Sequence, residues 1–318
     1  MRKTFSHVYD YLRWYVLLFL IFLSIVLWSV ALHENHHGVL TFAVLDIGQG
    51  DSLFIESPTG TQVLVDGGPD KNLMKEIANI VPWYDRHIDI LVVTNPDVDH
   101  YSGFIPLMDK YSVDVVLEPG TVNKYVEYGV LEKEIADKKI PRILARRGQV
   151  VDLGGGAYLQ VLFPDRDVTN TSSNDGSIVM KLIYGETSVM LQGDSTAKIE
   201  HYLVSLSNPS TNSTSSLQAS SGQVSDLKAT ILKVGHHGSK TSTTEEYVSA
   251  VSPLWAVMSS GANNNYGHPH KEVLDTLAKL NVPALDTCNN GDLIFQSDGK
   301  NFILKNKNPK PAVVGCKI

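Results

Sequence analysis

The side chains best suited to hold a cation or move a proton fall in four short clusters of this chain. Thr94 to His100 (TNPDVDH) puts Asp97, Asp99 and His100 within four residues, so that two carboxylates and an imidazole can converge on one cation. An Asn-Pro-Asp turn with solvated acids accounts for the same heptapeptide. Gln192-Gly193-Asp194 delivers another carboxylate beside a glycine that permits close approach. Leu232 to Ser239 (LKVGHHGS) closes on His236 and His237 between glycines, which suits a transition-metal ligand better than a core position. Tyr266 to His270 (YGHPH) carries His268 ahead of a helix, where it also reads as an ordinary proline-containing helix start.

These clusters need strands to deliver them. Thr41–Leu45, Ser52–Glu56 and Gln62–Val65 are β-rich runs separated by turn residues, and Ile88–Thr94 is apolar enough to be covered on both faces. The pattern predicts helices over Lys71–Ile80, Lys124–Lys138, Thr244–Val251 and Lys271–Leu280. It predicts further strands near Arg142–Ala145, Tyr158–Leu162, Ala229–Val234, Trp255–Ser259, Leu293–Phe295 and Asn301–Leu304, and a hairpin joining Ser177–Tyr184 to Ser188–Leu191. Strand meanders and strand-helix units in two successive halves imply two sheets with helices outside, in an α/β (α+β) arrangement. The polar run Ser205 to Ser225 reads as a mobile surface insertion, at about 205–226.

The net charge of -7 over 318 residues argues against coating nucleic acid by bulk electrostatics and requires any polyanion to be held locally. Trp14 to Leu32 runs 19 residues without a charge, enough to cross a hydrocarbon core of roughly 30 Å. Arg2, Lys3 and Arg13 precede it, which places residues 1–13 in the cytoplasm and the remainder outside. A cleaved signal peptide, ending near Ser29-Val30-Ala31, is the alternative to a 14–32 single-pass anchor in the cell membrane, and releases the domain as a secreted protein. Cys288 and Cys316 can pair in an oxidising compartment, or remain a buried apolar residue and a thiol in the tail 307–318.

In order and spacing the motifs LDIGQGDS (Leu45–Ser52), VDGG (Val65–Gly68), the DxDH of Asp97–His100, NDGS (Asn174–Ser177), QGDS (Gln192–Ser195), LKVGHHGSKTS (Leu232–Ser242) and YGHPH resemble the metallo-β-lactamase superfamily. They resemble above all the hydrolase-like domain at the C-terminus of the ComEC competence proteins. The resemblance implies a four-layer αββα sandwich over residues 39–306, preceded by one transmembrane helix, and reads as that domain on a single anchor without the family's multi-pass channel portion. It implies that Asp99, His100 and His236 bind one metal and that Asp194 bridges toward a second. Asp97 stands where many members carry the second His of HxHxDH, which favours Mn²⁺ beside or instead of Zn²⁺, as one or two ions. Asn95 replaces the first His, so the first metal position is weakened; Asn174 or Asp175 is a low-ranking oxygen ligand.

On that reading a cation acidifies water for attack on a phosphoryl or carbonyl centre, with Asp99 orienting the nucleophile and His237 or His268 protonating the leaving group. Lys233, Ser239, Lys240 and Thr241 are candidates to hold a phosphate, and Gly48, Gln49, Asp51 and Ser52 to shape the loop beneath the site. The expected function is an extracytoplasmic metal-dependent phosphodiesterase or nuclease acting on single-stranded DNA or another phosphodiester, working with competence or DNA-uptake partners. An esterase or lactonase is the alternative enzyme. A catalytically degenerate domain that binds DNA or a partner is the alternative raised by Asn95.

Overall fold

The computed structural model describes residues 2–33, 38–122, 126–207, 226–305 and 315–318. Helix α1 (Arg2–His33) belongs to a unit separate from Gly38–Ile318. Its stretch Tyr11–Trp28 has a mean hydropathy of 2.0 and is long and apolar enough to cross a membrane.

In the second unit, strands β1 (Leu40–Val44), β2 (Leu53–Glu56) and β3 (Gln62–Val65) form an antiparallel meander. After α2 (Asn72–Ile80), β4 (His87–Val92) joins parallel to β3. Two short helices, α3 (Val98–Tyr101) and α4 (Phe104–Met108), lead to β5 (Ser112–Glu118), and α5 (Val126–Asp137) to β6 (Arg142–Leu144), both parallel. The second sheet opens with antiparallel β7 (Val150–Gly154), β8 (Ala157–Phe163), β9 (Val179–Tyr184) and β10 (Thr187–Leu191). It continues through α6 (Ala197–Ser207) into parallel β11 (Ile231–Lys233), then α7 (Glu245–Val251), β12 (Trp255–Met258), α8 (Lys271–Lys279) and β13 (Ala284–Asp286). Past α9 (Thr287–Asn290), β14 (Leu293–Ser297) and β15 (Phe302–Leu304) return to the first sheet, where β14 pairs with β1.

Period-2 alternation divides the apolar residues among three interfaces. Phe42, Ile55, Val65, Leu159, Met180 and Phe295 fill the space between the sheets. Phe54, Leu64 and Leu91 turn the other way, onto Ile77, Phe104 and Leu131 of the helices outside the first sheet. Leu162, Met190 and Leu232 meet Leu203, Val248 and Leu277 outside the second. The result is the expected αββα sandwich.

The local expectations differ in places. Ser205 to Ser207 close α6 instead of opening the insertion, because Leu203 and Val204 of that helix are anchored in the core. Residues 208–225 of the expected insertion, Lys124 at the start of the expected helix, and 307–314 of the tail lie outside the described residues. Strands β5, β7 and β13 were not anticipated. β5 reads SVDVVLE, with Asp114 among valines, and β13 spans only three residues.

Candidate metal centre

The parallel strands of both sheets finish at one edge. Val65 pairs with Val92, Leu191 with Lys233 and Lys233 with Val257, so the segments that follow β3, β4, β10 and β11 emerge side by side. Side chains just beyond strand ends are released from the ladder and can converge in the crevice there.

Two of these segments carry backbone conformations that side chains rarely take. His236 and His237 are successively left-handed, with φ of 49° and 53°, and Asp66 has φ of 60°. Each such residue costs on the order of 1–3 kcal/mol, so surrounding bonds must hold it. Around the His-His turn, His236 N donates to Gly193 O at 3.0 Å, and Ser242 Oγ to Gly235 O at 2.8 Å. The Gln49–Asp51 loop packs hard against α3: a Cβ on Gly50 would lie 2.4 Å from the Asp99 carbonyl oxygen.

The outcome is a pair of buried imidazoles held by carboxylates. Asp66 accepts from His100 Nδ1 at 2.8 Å while its two oxygens also take the N–H and Oγ1–H of Thr94, at 2.7 and 2.6 Å. Asp51 sits 3.1 Å from His237 Nδ1 and 2.8 Å from Lys233 Nζ. With Nδ1 occupied, both rings turn Nε2 inward. His100 Nε2 lies 3.0 Å from Asp194, and His237 Nε2 lies 3.4 Å from Asp99 and 3.6 Å from Asp194. Yet His100 Nε2, His237 Nε2 and Asp194 Oδ1 are buried with no hydrogen-bond partner. Atoms of these types can each donate a lone pair to a cation, so the donor set fits a metal ion.

The electrostatics agree. Burial would raise the Asp194 carboxyl, but His100 and His237 hold it well below the usual range. Burial would lower His237, but Asp51 and Asp194 push it up to about 10. The carboxylates draw positive charge to this spot, as a cation site requires. His268 differs: burial and the neighbouring His237 and His236 pull its imidazole down to about 4, so it is neutral at physiological pH.

The superfamily pattern described as "Metallo-beta-lactamase superfamily" matches residues 45–259, a span holding both sheets' converging strand ends. The chain belongs to this superfamily. ComE operon protein 3 of Bacillus subtilis is 28% identical over 280 residues, 80% of this chain and 32% of that protein. Competence protein ComA of Neisseria gonorrhoeae is 28% identical over 269 residues, covering 83% of this chain and 33% of that one. Recombination protein 2 of Haemophilus influenzae is 28% identical over 254 residues. The chain spans about a third of the length of these relatives. Among solved structures, the metallo-beta-lactamase fold protein YhfI from Bacillus subtilis superposes with a TM-score of 0.54 at 10% identity, over 81% of this chain and 100% of that one, a likeness of fold.

In this metallo-β-lactamase fold the anticipated residues separate into two groups. Asp99, His100, Asp194 and His237 come together, and the described residues that could hold a metal include the sets Asp99-His100-His237 and Asp51-Asp194-His237. His236 stands at the rim, its Nε2 3.7 Å from Asp194 and its Nδ1 3.1 Å from Thr241 Oγ1. Asn95 is fully buried with both ends of its amide occupied: Oδ1 accepts from Asp97 N at 3.0 Å and Nδ2 donates to Asn174 Oδ1 at 2.8 Å. Asp97 accepts from Ser173 Oγ at 2.8 Å, and Asp175 turns away to Thr196 and Lys198.

Asp66 is absent from the residues read as the site, although it lies in the quoted VDGG, and Asp51, read as shaping the loop beneath the site, bonds His237 directly. Lys233 does not reach a phosphate, because strand alternation points it inward beneath the site onto Asp51. Ser239 and Thr241 hydrogen-bond each other, and Thr241 the His236 ring, while Lys240 remains exposed. The cavity over the site is about 120 Å³, lined by Gln49, Asp97, Asp99, His236, Tyr266 and His268 among others. A larger hollow of about 650 Å³, lined by Gln160, Lys181, Ser188 and Thr230, contains none of these groups.

Cys288 and Cys316 form a disulfide that ties the described residues 315–318 to α9. Asn263 N donates to Gly315 O at 3.1 Å, and Lys317 Nζ donates to Gly267 O, so residues 315–317 lie along the loop that carries His268.

Proposed function

We propose that this protein is a metal-dependent hydrolase of phosphodiesters, with nucleic acid as the substrate class and Asp99, His100, Asp194 and His237 as the ligand set for Zn²⁺ or Mn²⁺. The observation that carries it is the pair of buried imidazoles with carboxylate-bound Nδ1 and orphaned Nε2. The sequence motif assigned His236 as ligand and His237 as acid; burial and direction favour exchanging those roles. Asn95 is engaged by Asp97 N and Asn174, and Asp97 by Ser173, which favours one ion over two.

A divalent cation in this position supplies a Lewis acid that acidifies water and offsets charge on the attacked oxygen. Asp99, 30% exposed while its Oδ2 reaches His237, faces both the ligand set and solvent and is placed to accept the proton of the attacking water. His268, neutral and with Nδ1 unpartnered, is placed to hydrogen-bond the leaving oxygen. Competence and recombination proteins among the relatives support a DNA-uptake setting. The N-terminal charge pattern and the disulfide support an anchored, extracytoplasmic domain.

The test is metal analysis of the full chain, with cleavage of an oligonucleotide, a generic phosphodiester and a lactone measured at saturating Zn²⁺ and Mn²⁺. Turnover of the lactone alone would move the reading to an esterase. No turnover with either metal would leave the binding-domain reading, which the engaged Asn95 amide favours. A mature protein beginning near Leu32 would replace the anchor with a cleaved signal.

A further inference from the structure

The cavity of about 120 Å³ is well below the roughly 300–1,000 Å³ that encloses a whole small-molecule ligand. Only a compact group such as a phosphodiester enters; whatever is attached to it must rest on the rim. The rim carries one large exposed aromatic side chain beside the site imidazoles. Tyr266 lines the cavity mouth, is 66% exposed, and stacks on His268 with ring centroids 5.7 Å apart and planes 21° from parallel.

An exposed tyrosine on a loose loop would mean little, but this loop is tied at several points. Asn264 Nδ2 donates to Gly261 O and His268 O at 2.9 and 2.6 Å, and Asn264 Oδ1 accepts from His268 N at 2.8 Å. From outside, the disulfide-fixed tail binds Asn263 N and Gly267 O. The ring is therefore held ready beside the cavity, its ordering cost already met in folding. Every nucleobase has a π face, so such a surface takes a base without reading its sequence.

We propose that Tyr266 is a stacking platform for the nucleobase adjoining the phosphodiester in the cavity; the assignment rests on the phosphodiesterase reading for its substrate class. It makes Tyr266 a residue that selects nucleic acid over a bare phosphodiester. The neighbouring His268 ring supports the platform from one side.

The experiment is binding of a fluorescein-labelled oligothymidylate, and of an abasic oligomer of equal length, to the full chain in detergent, followed by fluorescence anisotropy. Tyr266→Ala is expected to weaken oligothymidylate binding roughly 5- to 100-fold, the range that loss of one base-aromatic stack produces. Abasic binding should stay unchanged, and Tyr266→Phe should bind like the parent. Equal weakening of both oligomers, no weakening of either, or no restoration by Phe would overturn the platform. So would failure of the parent to prefer the intact oligomer. Cleavage of the abasic oligomer by the parent, measured alongside, reports the phosphodiesterase separately. Its absence with Tyr266-dependent binding intact would sink the hydrolase and keep the platform.

Discussion

Asp51→Asn is the substitution that most directly tests how this site is held. Asp51, Lys233 and His237 are each at most 1% exposed, and the Asp51 carboxylate is shared between the Lys233 ammonium at 2.8 Å and the His237 Nδ1 at 3.1 Å. An asparagine keeps the volume and one acceptor oxygen but removes the negative charge that neutralises the ammonium, whose other partner is the Val234 carbonyl, 3.0 Å away. An uncompensated buried charge costs about 3–5 kcal/mol, so the urea midpoint should fall by that amount divided by the m-value. The same change replaces the carboxylate that orients His237 with a neutral amide, and mutation of such a partner lowers metal affinity about 10- to 100-fold. Adding Lys233→Met removes the stranded charge, so the double variant should recover more than half of the lost stability while metal affinity stays low. A single variant within about 1 kcal/mol of the parent, or a double variant no more stable than Asp51→Asn, would refute the reasoning. The pH dependence has a definite sign. Burial raises the Asp51 carboxyl but Lys233 and His237 hold it well below its usual range. Its stabilisation is therefore present above about pH 4 and is lost as pH falls toward the depressed value. The parent should lose stability in acid more steeply than Asp51→Asn, as equilibrium denaturation at stepped pH will measure.

His237→Ala should reduce bound metal at least tenfold and His236→Ala far less, measured by elemental analysis after dialysis; the reverse order would restore the assignment made from the motif. Asn95→His should raise metal stoichiometry by supplying a third imidazole in place of an engaged amide, and an unchanged stoichiometry would count against site weakening at that position. Cys288→Ser with Cys316→Ser should speed amide exchange in residues 261–268, where the tail is bonded, and leave the sheets protected. Uniform exchange in that loop with and without the disulfide would show that the tail does not hold it.

Much of this molecule is legible in local sequence because local forces decide it. Ile88–Thr94 is apolar on both faces, so it could only be a covered strand, and α8 repeats its apolar face at the helical period through Val273 and Leu277. The motifs that point to a metal likewise lie at strand ends in the sequence itself. What sequence could not decide is which member of each motif turns inward. His236 and His237 are adjacent and chemically identical, and the choice between them is made by two left-handed residues and by Asp51, 186 positions away. Lys233 looked like a phosphate ligand beside the histidines, until the alternation of β11 pointed it beneath them. Asn95 looked like a weak ligand, and its amide is engaged by Asn174 across 79 residues. Spacing along the chain determines which strand end carries a group. The direction in which that group points depends on register and on partners brought from distant sequence, and these exist only once both sheets have packed.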